Sequence, residues 1–190
     1  EVVKGLPSAA TLATIDISVS QLLAEELSNK TFRIYSSTDI VGVQVGGAVK
    51  NVLAIASGMA RGSGFGENSI AALITRGLSE MRRLAQAMGG SPKTLVGLSG
   101  LGDVLLSCSS RQSRNFLFGE LIGKGNEKRA ALEKIGGVVE GWFSTASVIK
   151  KQRELKIDLP ICKTVYGILH NDDDIKKSVA ELLKRPIRPE

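Results

Sequence analysis

The stretch GGAVKNVLAIASG, residues 46–58, holds a single charge. Lys50 is the only ionisable side chain between Asp39 and Arg61, and it stands among Val45, Ala48, Val49, Val52, Leu53, Ile55 and Ala56. Desolvation by such neighbours disfavours the ammonium form, so the expected pKa of Lys50 falls. A lysine tuned in this way exchanges a proton near neutral pH, which is the work of a general acid or base. The competing reading is a lysine paired with one carboxylate, or one whose aliphatic stem carries the charge to a helix edge. Both readings stay open at this point.

Asp103 ends the run GLSGLGD and precedes an apolar segment, which is the position of an N-cap. A capping aspartate can also face a lysine. The run SSRQSRN, residues 109–115, puts hydroxyls, a guanidinium and an amide at the start of a helix. Helix N-terminal N–H groups and the positive end of the dipole favour an anion. Arg114 adds a forked donor matched to phosphate oxygens. Capping by Ser113 explains the same residues without a ligand.

Two other features carry less. GSGFGEN, residues 62–68, has the glycines of a phosphate cradle but follows a helix rather than a strand, so it reads as a helix–helix connection. His170, the only histidine, adjoins Asn171 and three aspartates and reads as an exposed turn. No Ser-His-Asp arrangement and no zinc-ligand spacing is visible.

Elements must position these groups. The 190 residues are 43% hydrophobic and 23% charged, an ordinary balance for a soluble globular chain with a core of useful size. GLPSAATLATID ends in strand-like alternation at Ala9 to Ile15. SVSQLLAEELS has apolar residues at Val19, Leu22, Leu23 and Leu27, an amphipathic helix with Ser18 as its expected cap. A short strand over Phe32 to Tyr35 completes a βαβ unit, which needs further strands and helices to be covered. From Thr38 onward no good strand is visible. Helices are expected over 40–60, from Asn68 or Ser69 to the Gly89-Gly90 stop, from Ser91-Pro92 to Val96, and after Asp103. Further helices start at Ser113, at residue 127, at Ser144 and at the proline of LPICKTVYGILH, with a last one in NDDDIKKSVAELLKR. RPIRPE reads as a proline-broken tail.

Charge and composition exclude little by themselves. The formal net charge is +6, and the basic cluster Lys124, Lys128, Arg129 and Lys134 is interleaved with Glu127 and Glu133, as on a solvated helix face. Aromatics at 4% give poor support for base stacking. Cys108 and Cys162 are in no metal-ligand spacing and read as reduced thiols of a cytoplasmic protein. No basic and then apolar leader opens the chain. Residues 40–60 are long enough to span a bilayer and contain a small-xxx-small spacing at Gly42 and Gly46. A central lysine costs about 2.5–3.5 kcal/mol on insertion scales, and Gln44 and Asn51 add to it, so a core helix is the better reading.

The segments GVQVGGAVKNVLAIASG, NSIAALITRGLSEMRRLAQAMG, GLSGLGDVLLSCSSRQSRNFLFG and GGVVEGWFS, in this order, closely resemble bacterial NAD(P)-dependent glycerol-3-phosphate dehydrogenases. The likeness continues to LPICKTVYGIL and the RPIRPE tail. It implies a mainly α fold: an all-helical C-terminal domain of the 6-phosphogluconate dehydrogenase C-terminal-like type over 38–190, preceded by a βαβ remnant of a Rossmann-type domain over 1–37. The glycine-rich dinucleotide turn of the family is absent from this sequence, and Lys4-Gly5-Leu6 only mimics a motif of the missing part.

By the same resemblance Lys50 is the catalytic proton acceptor and touches substrate. Asp103, Ser113, Arg114 and Asn115 contact glycerol phosphate, and Arg114, Val138 and Glu140 lie at the NAD or NADP cofactor. Asn51 shares the Lys50 motif without a separate role. Ser107 stands where the family often has threonine. The implied reaction interconverts sn-glycerol 3-phosphate and dihydroxyacetone phosphate and feeds glycerophospholipid synthesis. Small-molecule substrate, no nucleic acid, no transmembrane segment, compatibility with a homodimer and inactivity of this segment alone follow as expectations. The alternatives are a 6-phosphogluconate- or hydroxyacid-type dehydrogenase domain and a non-catalytic helical binding module.

Overall fold

The computed structural model describes residues 1–183, so the RPIRPE tail lies outside the described residues. The chain opens with β1 (Ser8–Ala13), α1 (Ile17–Leu27) and β2 (Phe32–Ser37). The two strands pair in parallel, in register from Ser8 with Phe32 to Ala13 with Ser37, and α1 is the crossover between them. Asp16, not Ser18, caps α1: its carboxylate accepts from Ser18 N at 2.8 Å. The apolar side chains of α1 do not form a buried stripe. Val19, Leu22, Leu23 and Leu27 are exposed, and only Ser20 and Ala24 of this helix are buried.

All later regular elements among the described residues are helical. They are α2 (Ile40–Gly62), α3 (Glu67–Ala87), a 3₁₀ turn (Thr94–Val96), α4 (Asp103–Ser109), α5 (Arg114–Gly123), α6 (Lys128–Ile135), α7 (Glu140–Leu155), α8 (Pro160–His170) and α9 (Ile175–Leu183). A π-helical turn occupies Leu98–Gly102, inside the run GLSGLGD. The cap of α3 is Gly66 rather than Asn68 or Ser69. α7 begins four residues earlier than Ser144, on Glu140.

α2 is the axis of the fold. It is long and apolar enough to cross a membrane, and here it is the core helix, with Val52, Leu53, Ala54 and Ile55 fully buried. Helices α3, α4, α5 and α7 pack around it. Phe118 of α5 is buried completely and meets Trp142 edge-on at 6.0 Å. Losing a side chain of that size costs about 3–5 kcal/mol.

α5 runs beside α2 in the same direction at backbone contact. A Cβ on Gly119 would lie 2.2 Å from Ile55 O, and one on Gly123 would lie 2.3 Å from Met59 O. Only hydrogen fits at these points, so the glycines set the spacing that brings the start of α5 to the middle of α2.

Two acidic side chains, half-buried Asp39 and buried Glu80, fix helix ends. Asp39 caps α2 by accepting from Gly42 N at 2.8 Å, and it also accepts from Ser91 N at 2.9 Å and Thr94 Oγ1 at 2.6 Å. Burial pushes its pKa up, and the bonds from Thr94, Gly42 and Ser91 outweigh that and leave it lowered. Glu80 of α3, 3% exposed, accepts from Ile161 N at 2.7 Å and Cys162 N at 3.1 Å and so caps α8 from a distance.

The cluster of basic residues is not an open patch. Lys124 pairs with Glu120, Lys128 with Asp172, and Arg129 with Glu133, while Lys134 donates to Asn126. His170 is the last residue of α8 and not a free turn. It is half-buried between Trp142 and Tyr166, with ring centroids at 4.9 and 4.8 Å.

Candidate functional site

The π-helical turn at 98–102 delivers Asp103 to the first position of α4. Its side chain does not cap that helix. Instead Asp103 Oδ2 accepts from Lys50 Nζ at 2.7 Å. The lone lysine of the apolar run and the aspartate of GLSGLGD are therefore one ion pair, the carboxylate-paired alternative left open by the sequence.

The environment of Lys50 differs from the one its sequence neighbours suggest. Its side chain is 25% exposed, and that of Asp103 is 34% exposed. The apolar residues of α2 turn toward the core, while the lysine stem carries its ammonium to a wall open to solvent. The Asp103 carboxylate, at hydrogen-bond distance, fixes where that ammonium sits. The arrangement holds an ammonium in a fixed direction, ready to give a proton to an oxygen placed beside it.

Ser113 caps α5, accepting from Phe116 N at 3.3 Å. Arg114, the first residue of α5, is exposed and has no hydrogen bond or ion pair among the described residues. Its side chain crosses Gly137 so closely that a Cβ there would lie 2.9 Å from Nη1. A guanidinium without a protein partner, at the positive end of a helix, can hold an anion.

Asn115 is buried and faces the other way, into α2 and α7. Its Nδ2 donates to Asn51 Oδ1 at 3.0 Å, and its Oδ1 accepts from Gly141 N at 2.9 Å. Asn51 Nδ2 donates to Glu140 Oε2 at 3.2 Å and to Gly47 O at 3.2 Å. Val138 and Glu140 are exposed on either side of buried Val139, at the start of α7. Glu140 takes the first position of that helix, where a carboxylate interacts favourably with the dipole.

Every site residue named from the sequence thus falls on four helix segments around the middle of α2: Lys50 on α2, Asp103 on α4, the Ser113–Asn115 run on α5, and Val138 and Glu140 at α7. Asn51 was given no role by sequence reasoning, yet it joins three of these segments. The available signal was an amide directly after the lone lysine, in a helix that otherwise buries hydrocarbon. Among the described residues no group of histidine, cysteine or carboxylate side chains forms a metal site. Cys108 and Cys162 are buried and free, and burial raises both thiol pKa values.

The family model described as NAD-dependent glycerol-3-phosphate dehydrogenase C-terminus matches residues 39–180. A glycerol-3-phosphate dehydrogenase [NAD(P)+] of Rhodospirillum rubrum is 45% identical over the whole chain, which covers 54% of that protein. One of Thioalkalivibrio sulfidiphilus is 47% identical over the whole chain, covering 57% of its length. The crystal structure of a glycerol-3-phosphate dehydrogenase from Coxiella burnetii superposes with a TM-score of 0.93 at 44% identity, over 97% of this chain and 57% of that one. The chain therefore spans about half the length of the curated relatives it matches. With a family match over residues 39–180 and the same fold in the Coxiella burnetii enzyme, the chain belongs to the glycerol-3-phosphate dehydrogenase family and carries its C-terminal helical region.

Proposed function

We propose that this chain is the substrate-binding half of a dehydrogenase that interconverts sn-glycerol 3-phosphate and dihydroxyacetone phosphate with NAD or NADP. Residues 38–190 are the substrate domain in this reading, and residues 1–37 are the closing βαβ piece of the dinucleotide domain. The observation that carries it is the Lys50–Asp103 pair at 2.7 Å, together with a helix start whose arginine has no hydrogen-bond or ion-pair partner among the described residues. Names of relatives alone would not assign those atoms.

The chemistry follows from the geometry. Reduction adds a hydride to C2 of the ketone, and the carbonyl π electrons move to its oxygen. That oxygen needs one proton, and Lys50 Nζ gives it, becoming a neutral amine that water reprotonates. In the reverse direction the amine takes the proton from the C2 hydroxyl. Asp103 aims the ammonium and offers a carboxylate oxygen to a substrate hydroxyl. Ser113, Arg114 and Asn115 lie at the positive end of α5, where Arg114 binds phosphate and fixes C2 against Nζ.

The residues at the start of α7 fit a nicotinamide dinucleotide. Val138 offers an exposed apolar surface, Glu140 an anchored carboxylate, and Arg114 a free cation within reach of the same edge. That cofactor, when bound, supplies or takes the hydride. Free, buried Cys108 and Cys162 agree with a cytoplasmic setting. The test is a substrate panel on a protein of the relatives' full length that carries this sequence. Oxidation of reduced dinucleotide with dihydroxyacetone phosphate, and none with 6-phosphogluconate in the opposite direction, is expected; the converse pattern would assign it to the hydroxyacid class.

A further inference from the structure

We propose that Asn51 is a positioning residue that sets the cofactor-facing carboxylate of Glu140 relative to Lys50. The proposal rests on the dehydrogenase reading above and adds to it a residue to which that reading gives no role.

The argument starts from helix geometry. Successive residues on an α-helix point about 100° apart. Lys50 and Asn51 are therefore neighbours along α2 that serve different walls. Lys50 reaches α4 through Asp103, and Asn51 reaches the starts of α5 and α7. Asn51 is 7% exposed, and a buried amide keeps its place only if both its ends are bonded. Here the carbonyl oxygen accepts from Asn115, and the NH₂ group donates to Glu140 Oε2 and to Gly47 O.

The polarity of this link is fixed. Asn115 already uses its own oxygen on Gly141 N, so its NH₂ must donate to Asn51. Asn51 must then present its NH₂ to Glu140, and a carboxylate is the acceptor it meets. Glu140 is exposed and has no other hydrogen-bond or ion-pair partner among the described residues. Without Asn51 its side chain loses the one hydrogen bond it has among the described residues.

The backbones at the same contact pack closely. A Cβ on Gly141 would lie 2.6 Å from Ile55 Cδ1 and 2.8 Å from Asn51 O. α7 thus begins in direct contact with α2, one residue from the proton-transfer side chain. The start of α7 is thus tied to the Lys50 segment of α2 through bonded side chains rather than through a loop.

A polarity swap tests this. Asn51→Asp keeps the acceptor for Asn115 but replaces the donor to Glu140 with a like charge. In a protein of the relatives' full length, its dissociation constant for reduced dinucleotide, read by the ligand's own fluorescence without substrate, is expected to rise about tenfold. Asn51→Asp combined with Glu140→Gln restores a donor–acceptor pair in the opposite sense, and affinity is expected to return to within about threefold of the Glu140→Gln single variant. Thermal unfolding of each variant separates loss of fold from loss of position. Unchanged affinity in Asn51→Asp, or a double variant no better than Asn51→Asp when both are folded, overturns the proposal. Failure of the reaction assignment itself reads differently: the parent protein then shows no turnover of dihydroxyacetone phosphate.

Discussion

Asp103 stands first in its helix, yet its carboxylate turns away from the helix amides and accepts from Lys50 Nζ at 2.7 Å, across 53 residues of sequence. Neither residue is deeply buried, so the pair has little to add to stability and much to add to orientation. The aspartate forgoes a cap and holds one ammonium.

Asp103→Asn separates those two roles. The amide keeps the shape and loses the charge that fixes the ammonium. Turnover is expected to fall about a hundredfold, at the low end of what a positioned acid–base group supplies. Stability is expected to change by less than about 1 kcal/mol, as for other solvent-screened pairs. Steady-state kinetics beside urea unfolding measures both; a large stability loss with normal turnover would assign the pair to the fold alone.

The contact between α2 and α5 gives a second expectation. Gly119→Ala puts a methyl 2.2 Å from Ile55 O, a backbone atom that cannot move aside cheaply. Overpacking of this kind costs about 1–3 kcal/mol. Gly47→Ala in α2 is the control, because nothing lies within 4 Å of its would-be Cβ. There the better helix propensity of alanine adds up to about 1 kcal/mol. Opposite shifts in melting temperature for the two variants are the expected result.

Glu80 gives a dependence on pH. Burial raises its pKa from 4.5 to about 7, against the bonds from Ile161 N and Cys162 N that lower it. The folded state then holds a proton that the unfolded state has released, throughout the window between 4.5 and about 7. Glu80 therefore contributes most below its unfolded pKa, and that contribution is lost as pH rises through its folded one. The change is of order 3 kcal/mol across the window. Glu80→Gln cannot titrate and is expected to flatten the slope of unfolding free energy between pH 5 and 7, measured by urea titration at several pH values.

Much of this architecture was legible in residue patterns, and the failures have particular causes. The βαβ start, the α2 axis and the helix after Ser113 follow from apolar period and capping chemistry. The start of α7 was missed because Gly141 looks like a loop residue, whereas it lies inside the helix to allow contact with Asn51 and Ile55. For Lys50 the apolar sequence neighbours suggest a desolvated amine, and the structure shows the other open reading, a lysine paired with a carboxylate. A helix puts those neighbours on other faces, and the lysine stem is long enough to leave them. Asp103 reads as a cap that can also face a lysine, and pattern alone cannot choose between those roles when the partner lies 53 residues away. Glu80, in the run SEMRRL, looks like one more charge of an amphipathic helix until α8 is packed against it. In each case the error lies in a tertiary contact and not in local propensity.

Proton exchange at position 50 is the claim on which the functional account stands. The direct measurement is kcat for dihydroxyacetone phosphate reduction by Lys50→Ala, in a protein of the relatives' full length with its fold checked by circular dichroism. The account predicts a fall of about 10²–10⁴-fold with native secondary structure and melting behaviour. Turnover within a fewfold of the parent, in a folded variant, would contradict it and remove Lys50 from the reaction.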